Sequence, residues 1–143
     1  MEEGLKHWGR SGIMVGKVYT CYFSGLGERS DRAISICHQQ PPGYKLPVAD
    51  ELAPPYGMYW KHLRRRMSDR KFAQLYSMRF SMLDPAEIAE KYDGMILTAW
   101  EAYEDMERTI PRMSHRYLIA DWLRSNGFQC EELEPMPRRR KIL

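Results

Sequence analysis

Four residues combine types and positions that suit chemistry: Ser114, His115 and Arg116, which open the last amphipathic segment, and Glu101, which follows an apolar run. The first turn of a helix leaves backbone N–H groups unpaired and concentrates partial positive charge, so such a start favours an anion. Arg116 adds a planar, two-pronged donor matched to phosphate or carboxylate. His115 can give or take a hydrogen bond near neutral pH. Glu101, just past a strand end, suits a ribose-hydroxyl acceptor or a general base. Each has a plainer alternative: Ser114 as a helix cap followed by two surface residues, and Glu101 as a solvated loop carboxylate.

The elements that must position them read as follows. Met95–Trp100 is nearly all apolar, as in a central strand covered on both faces. Leu118, Ile119, Trp122 and Leu123 give the helix after Ser114 its apolar stripe, and Ser125-Asn126-Gly127 ends it. Upstream, Val18–Ser24 and Ala33–Cys37 have the β-branched and aromatic content of strands. The few residues between those two are short for a parallel crossover, so the strands are either antiparallel neighbours or set apart in a mixed sheet.

Residues 38–56 form a proline-punctuated loop that carries His38, Tyr44 and Lys45. It is either a ligand-contacting loop at a strand end or a stiffened surface loop. A helix is predicted over 57–67 with Tyr59, Trp60 and Leu63 on its apolar face. A second follows a Ser68 or Asp69 cap, with Phe72, Leu75, Tyr76, Phe80 and Leu83 as its stripe. Asp84-Pro85-Ala86-Glu87 starts a third. Phe128–Leu133 reads as the last strand. The pattern is α/β: a single domain over 17–134 with a small mixed or mostly parallel sheet of about four strands and flanking helices. Residues 1–16 read as an N-terminal arm and 135–143 as a basic tail.

Composition narrows the function classes. The formal charge is +3, which is mild for a dedicated nucleic-acid binder. Basic residues do cluster, at Arg64-Arg65-Arg66 and at Arg138-Arg139-Arg140-Lys141, so nucleic acid stays a minority partner. No run is long and apolar enough for a membrane span. The odd count of 3 cysteines, without metal-ligand spacing, suits a reducing cytoplasmic compartment and no metal. No glycine-rich phosphate loop or nucleophile elbow is present, and no cofactor is expected. The 9 Tyr, 4 Trp and 10 Met supply ring and thioether surface for a core, with some left for a pocket or a homo-oligomer interface.

The order of motifs resembles a bacterial and phage family, domain-of-unknown-function family 488, the YeaO-like proteins. The resemblance runs through Val18–Leu26, Ala33–Ile36, Leu52-Ala53-Pro54, Phe72 with Tyr76, and Leu83-Asp84-Pro85 with Glu87-Ile88. It closes on Ile96–Glu101 and Ser114–Leu123. The family's strand segment usually reads Leu-Leu-Cys-x-Glu and its helix start Cys-His-Arg. Here Ala99 and Ser114 stand where those cysteines fall, while Glu101, His115 and Arg116 match. The resemblance implies an α/β fold with a site at this strand end and helix start. A thiolate mechanism would be closed to this chain.

The expectation is a binder of a small phosphorylated ligand, a nucleotide or nucleotide derivative, acting without turnover. Its pocket lies between the Cys37–Tyr44 loop, Glu101 and Ser114–Arg116. Arg116 holds the anion, His115, Glu101 and His38 contact polar groups, and Tyr44 or Tyr59 stacks on a ring. Two alternatives stand beside it. One is a hydrolase or transferase on nucleotides or nucleic acid, with His115 or Glu101 as acid or base. The other is an interaction module for nucleic acid or protein that uses the arginine clusters.

Overall fold

The structure is a computed structural model that describes residues 16–64, 66–100 and 115–136, except the side chains of Tyr56, Tyr59, Trp60 and Leu63. It contains β1 (Val18–Tyr22), β2 (Ala33–Ser35), α1 (Tyr56–Leu63), α2 (Asp69–Phe80), α3 (Pro85–Lys91), β3 (Ile96–Ala99), α4 (His115–Ser125) and β4 (Cys130–Glu132). The four strands form one sheet in the order β2-β3-β1-β4, and every neighbouring pair is parallel. The first two strands are therefore apart, as one reading of their spacing had it, with β3 between them. Their connection is short because it runs as 3-10 turns, Phe23–Gly25 and Gly27–Arg32, which gain more length per residue than an α-helix.

Chirality sets the layers. The step from β1 to β2 runs one way along the sheet, whereas the steps from β2 to β3 and from β3 to β4 run the other way. Right-handed crossovers therefore send the first connection to one face and the other two to the opposite face. The cores agree. Val18, Ile34, Leu97, Ala99 and Cys130 pack with Phe72, Tyr76, Phe80, Ile88, Ile119, Ala120 and Leu123 of the helices. On the other face Tyr19, Cys21, Ala33 and Ile96 pack with Leu26 of the β1–β2 connection, and Tyr44, Leu46 and Leu133 lie against them. β1 and β3 are adjacent strands whose following connections part to opposite faces, a switch point at whose carboxyl ends open α/β sheets place a ligand crevice.

Local signals act where expected. The Ser68 hydroxyl accepts from the Lys71 N–H at 3.1 Å, and Asp84 caps α3 by accepting from the Ala86 N–H at 2.9 Å. α1 stops earlier than the predicted residue 67. The Arg66 N–H turns back to the Lys61 carbonyl at 2.8 Å, the six-to-one bond of a Schellman ending. Arg64 and Arg66 thus follow the helix instead of lying on it, and both are exposed. Arg65, like the Arg138–Lys141 cluster, lies outside the described residues, as does most of the N-terminal arm.

The proline loop is tied back to the sheet. Val48 bridges Ser35, and the Gln40 side-chain amide closes residues 40–46 by bonding both the N–H and the carbonyl of Leu46. Cys21, Cys37 and Cys130 are all buried thiols with no disulfide among them. Burial pushes the Cys21 and Cys130 thiols up to about 11, so both stay protonated at neutral pH. No described helix is long and apolar enough to cross a membrane.

Candidate functional site

The crevice at the ends of β1 and β3 is built on the inner stripe of α4. His115, Arg116, Ile119, Ala120 and Leu123 are its buried residues, recurring at spacings of three and four. Arg116 and Ile119 share a face one turn apart, so the helix that buries Ile119 also carries Arg116 over the strand ends. Leu118 and Trp122, expected on the inner stripe, lie at its half-buried edge. The plainer reading of His115 and Arg116 as surface residues is overturned, since they are 3% and 0% exposed.

Arg116 is held from all sides. Its Nε donates to both carboxylate oxygens of Glu132 at 3.1 Å, one Nη to the Trp100 carbonyl at 3.2 Å, and the other to the Tyr117 hydroxyl at 2.9 Å. The Tyr22 and Tyr117 rings lie 5.3 and 4.5 Å from the guanidinium carbon, within cation–π range. Glu132 reaches this position because it is the cross-strand partner of Thr20 in the β1–β4 register, and the Thr20 hydroxyl donates to it at 2.6 Å. Along β1, Val18, Thr20 and Tyr22 share one face. That face changes from apolar to polar to aromatic toward the carboxyl end, which is the end that meets Arg116.

His115 closes the neighbouring side. Its Nε2 lies 2.9 Å from the Ile36 carbonyl oxygen and 3.5 Å from Cys37 Sγ. A carbonyl has no proton, so Nε2 must carry one and the imidazole donates. Burial lowers His115 to about 4; the neighbouring Arg116 and His62 charges act the same way and the Ile36 carbonyl opposes them. The ring is therefore neutral through the physiological range. The Tyr76 and Phe72 rings meet it edge-on at 5.4 and 6.3 Å, and Phe72 stacks on His62 at 4.1 Å. His62 Nε2 lies 2.6 Å from the Asp69 carboxylate, which pins the end of α1 to the start of α2.

Rings form the third wall. Phe23, fully buried, packs against Tyr44 at 5.2 Å and Trp100 at 6.0 Å. The Tyr44 hydroxyl donates to the Phe23 carbonyl at 3.0 Å, and the Trp100 indole N–H donates to the Gln39 carbonyl at 2.8 Å. These two bonds fasten the proline loop to the ends of β1 and β3. Tyr44, Trp100, Tyr22 and Tyr117 are each half-buried.

Of the residues singled out from sequence, His115, Arg116 and Tyr44 converge on this crevice. His38 is exposed, with its ring nitrogen 3.9 Å from Asp50. Glu101 and Ser114 lie outside the described residues, and so does the side chain of Tyr59. Sequence reasoning missed Glu132, Thr20, Tyr22 and Tyr117. Among the described residues no group of His, Cys, Asp and Glu has the arrangement of a metal site. A separate open cleft of about 440 Å³ lies between α2 and α4, lined by Phe80, Leu118, Asp121 and Trp122 among others. Its apolar lining carries none of the arginine, histidine and strand-end features of the crevice.

Fold and crevice together define a small α/β protein with an all-parallel sheet and a polar, ring-walled strand end. Compared with known proteins, the chain matches no family model, no curated protein and no solved structure.

Proposed function

We propose that this protein binds a phosphate-bearing small molecule, a nucleotide or nucleotide derivative, at the carboxyl ends of β1 and β3 without turning it over. The observation that carries the reading is Arg116. It is a fully buried guanidinium at the junction of two adjacent strands whose connections part to opposite faces, where open α/β sheets take their ligands. Half-buried Tyr22, Tyr44, Trp100 and Tyr117 add the ring surface that a base would stack on. The motif order resembles that of the YeaO-like proteins, which supports the same strand end and helix start, and we extend the proposal to that kinship. Three buried cysteines with no disulfide among them support a reducing, cytoplasmic setting.

Binding takes precedence over a hydrolase or transferase because of His115. A buried imidazole whose Nε2–H is taken by the Ile36 carbonyl is poorly placed to protonate a leaving group, and its 3% exposure works against its serving as a base. Glu101 stays the other candidate for acid–base work. The test is a thermal-shift screen of wild type and Arg116→Ala against nucleotides and their derivatives. A phosphorylated compound that stabilises only the wild type supports the reading. Failure of every phosphorylated compound to shift the wild type would sink it.

A further inference from the structure

We infer that Glu132 holds the position that the ligand's anionic group takes, and that binding exchanges one for the other. The inference rests on the anion-binding reading above. Donors from two elements, Arg116 Nε of α4 and Thr20 Oγ1 of β1, converge on Glu132 Oε1 at 3.1 and 2.6 Å. Both donor residues are 0% exposed, whereas the Glu132 side chain is 31% exposed. Glu132 is thus the member of the trio whose side chain solvent can reach.

The other approaches to the guanidinium are filled. Tyr22 and Tyr117 lie over it, and the Trp100 carbonyl and Tyr117 hydroxyl take its Nη groups. An incoming anion therefore meets Arg116 where Glu132 sits. A buried guanidinium is costly to strand, so the position is held by Glu132 or by the anion, one at a time. The switch needs little rearrangement. Glu132 is the last residue of β4, and the next N–H, that of Leu133, continues the ladder by donating to the Thr20 carbonyl at 2.8 Å. Rotation of the side chain alone swings the carboxylate outward and leaves the strand in place. A terminal phosphate is the group that fits: its oxygens can accept from Arg116 and Thr20 together and carry at least the charge they replace.

The test titrates inorganic phosphate into wild type, Glu132→Gln and Arg116→Lys at constant ionic strength set with chloride, by calorimetry. Glutamine keeps the shape and one acceptor and removes the competing charge. Expected is phosphate binding about tenfold or more tighter in Glu132→Gln than in wild type, and loss of binding in Arg116→Lys. Equal or weaker binding by Glu132→Gln, with Arg116→Lys still inactive, overturns the exchange and leaves the anion site standing. No binding by either wild type or Glu132→Gln overturns both. The carboxyl carbon resonance of Glu132 in labelled wild type gives a readout free of any folding defect in the variants. It should move on phosphate saturation, and a resonance that stays put at saturation overturns the exchange.

Discussion

Arg116 and Glu132 are joined across the ends of β1 and β4, with Nε donating to both carboxylate oxygens at 3.1 Å, although one residue opens a helix and the other closes a strand. The two partners differ in burial, and so should the costs of losing them. Glu132→Ala takes the carboxylate from a buried guanidinium that keeps its Trp100 and Tyr117 contacts, and should cost up to about 3–5 kcal/mol in urea unfolding. Arg116→Met leaves a carboxylate that is 31% exposed and can turn to water, so the loss should be smaller. A double-mutant cycle should return a coupling of about 1–3 kcal/mol.

Acid should destabilise the fold through His115. Its folded value is about 4 against an ordinary 6.5, because burial disfavours the imidazolium. Between those values the unfolded chain takes up a proton that the folded chain refuses. Stability is therefore full above about pH 6.5 and falls as pH drops toward 4, by at most about 3 kcal/mol. His115→Asn should flatten that part of the pH profile of unfolding free energy. An unchanged slope would assign the acid sensitivity to other groups.

Tyr44 should contribute to affinity more than to fold. Its hydroxyl pins the loop to the Phe23 carbonyl and its ring packs on Phe23. Tyr44→Phe should bind a nucleotide within a few-fold of wild type, while Tyr44→Ala loses a stacking surface worth about 1–3 kcal/mol. Calorimetry on both variants separates the ring from the hydroxyl.

Phe72 should be among the costliest core positions. It is 0% exposed, stacked on His62 and in ring contact with Tyr76 and His115. Phe72→Ala should cost about 3–5 kcal/mol, read as a lower urea midpoint at unchanged slope.

Much of the fold was legible in the residues. Asp84-Pro85, the Ser68 cap, the stripe of Phe72, Tyr76 and Phe80, and the apolar β3 segment all did locally what their chemistry implies. The parallel pairing of β1 with β3 and β4 was not, because strand order follows from crossover handedness and long-range packing, which no local pattern carries. The site was half legible. His115 and Arg116 stood out by type, but the stripe drawn through Leu118 and Trp122 hid that Arg116 shares the inner face with Ile119, Ala120 and Leu123. Glu132 could not be picked out in advance, since its role depends on lying opposite Thr20, and only the β1–β4 register sets that.

The central claim, a phosphorylated ligand in the crevice, is met most directly by nitrogen–proton NMR of the labelled protein titrated with nucleoside mono-, di- and triphosphates. The Arg116 Nε–H and the Trp100 indole N–H are reporters that already donate within the crevice, to Glu132 and to the Gln39 carbonyl. Saturable shifts of these two signals and of the Tyr22 and Tyr44 amides are expected with at least one phosphorylated compound. Shifts confined to Ser77, Phe80, Leu118 and Trp122 of the α2–α4 cleft, or no shifts with any of them, would contradict it.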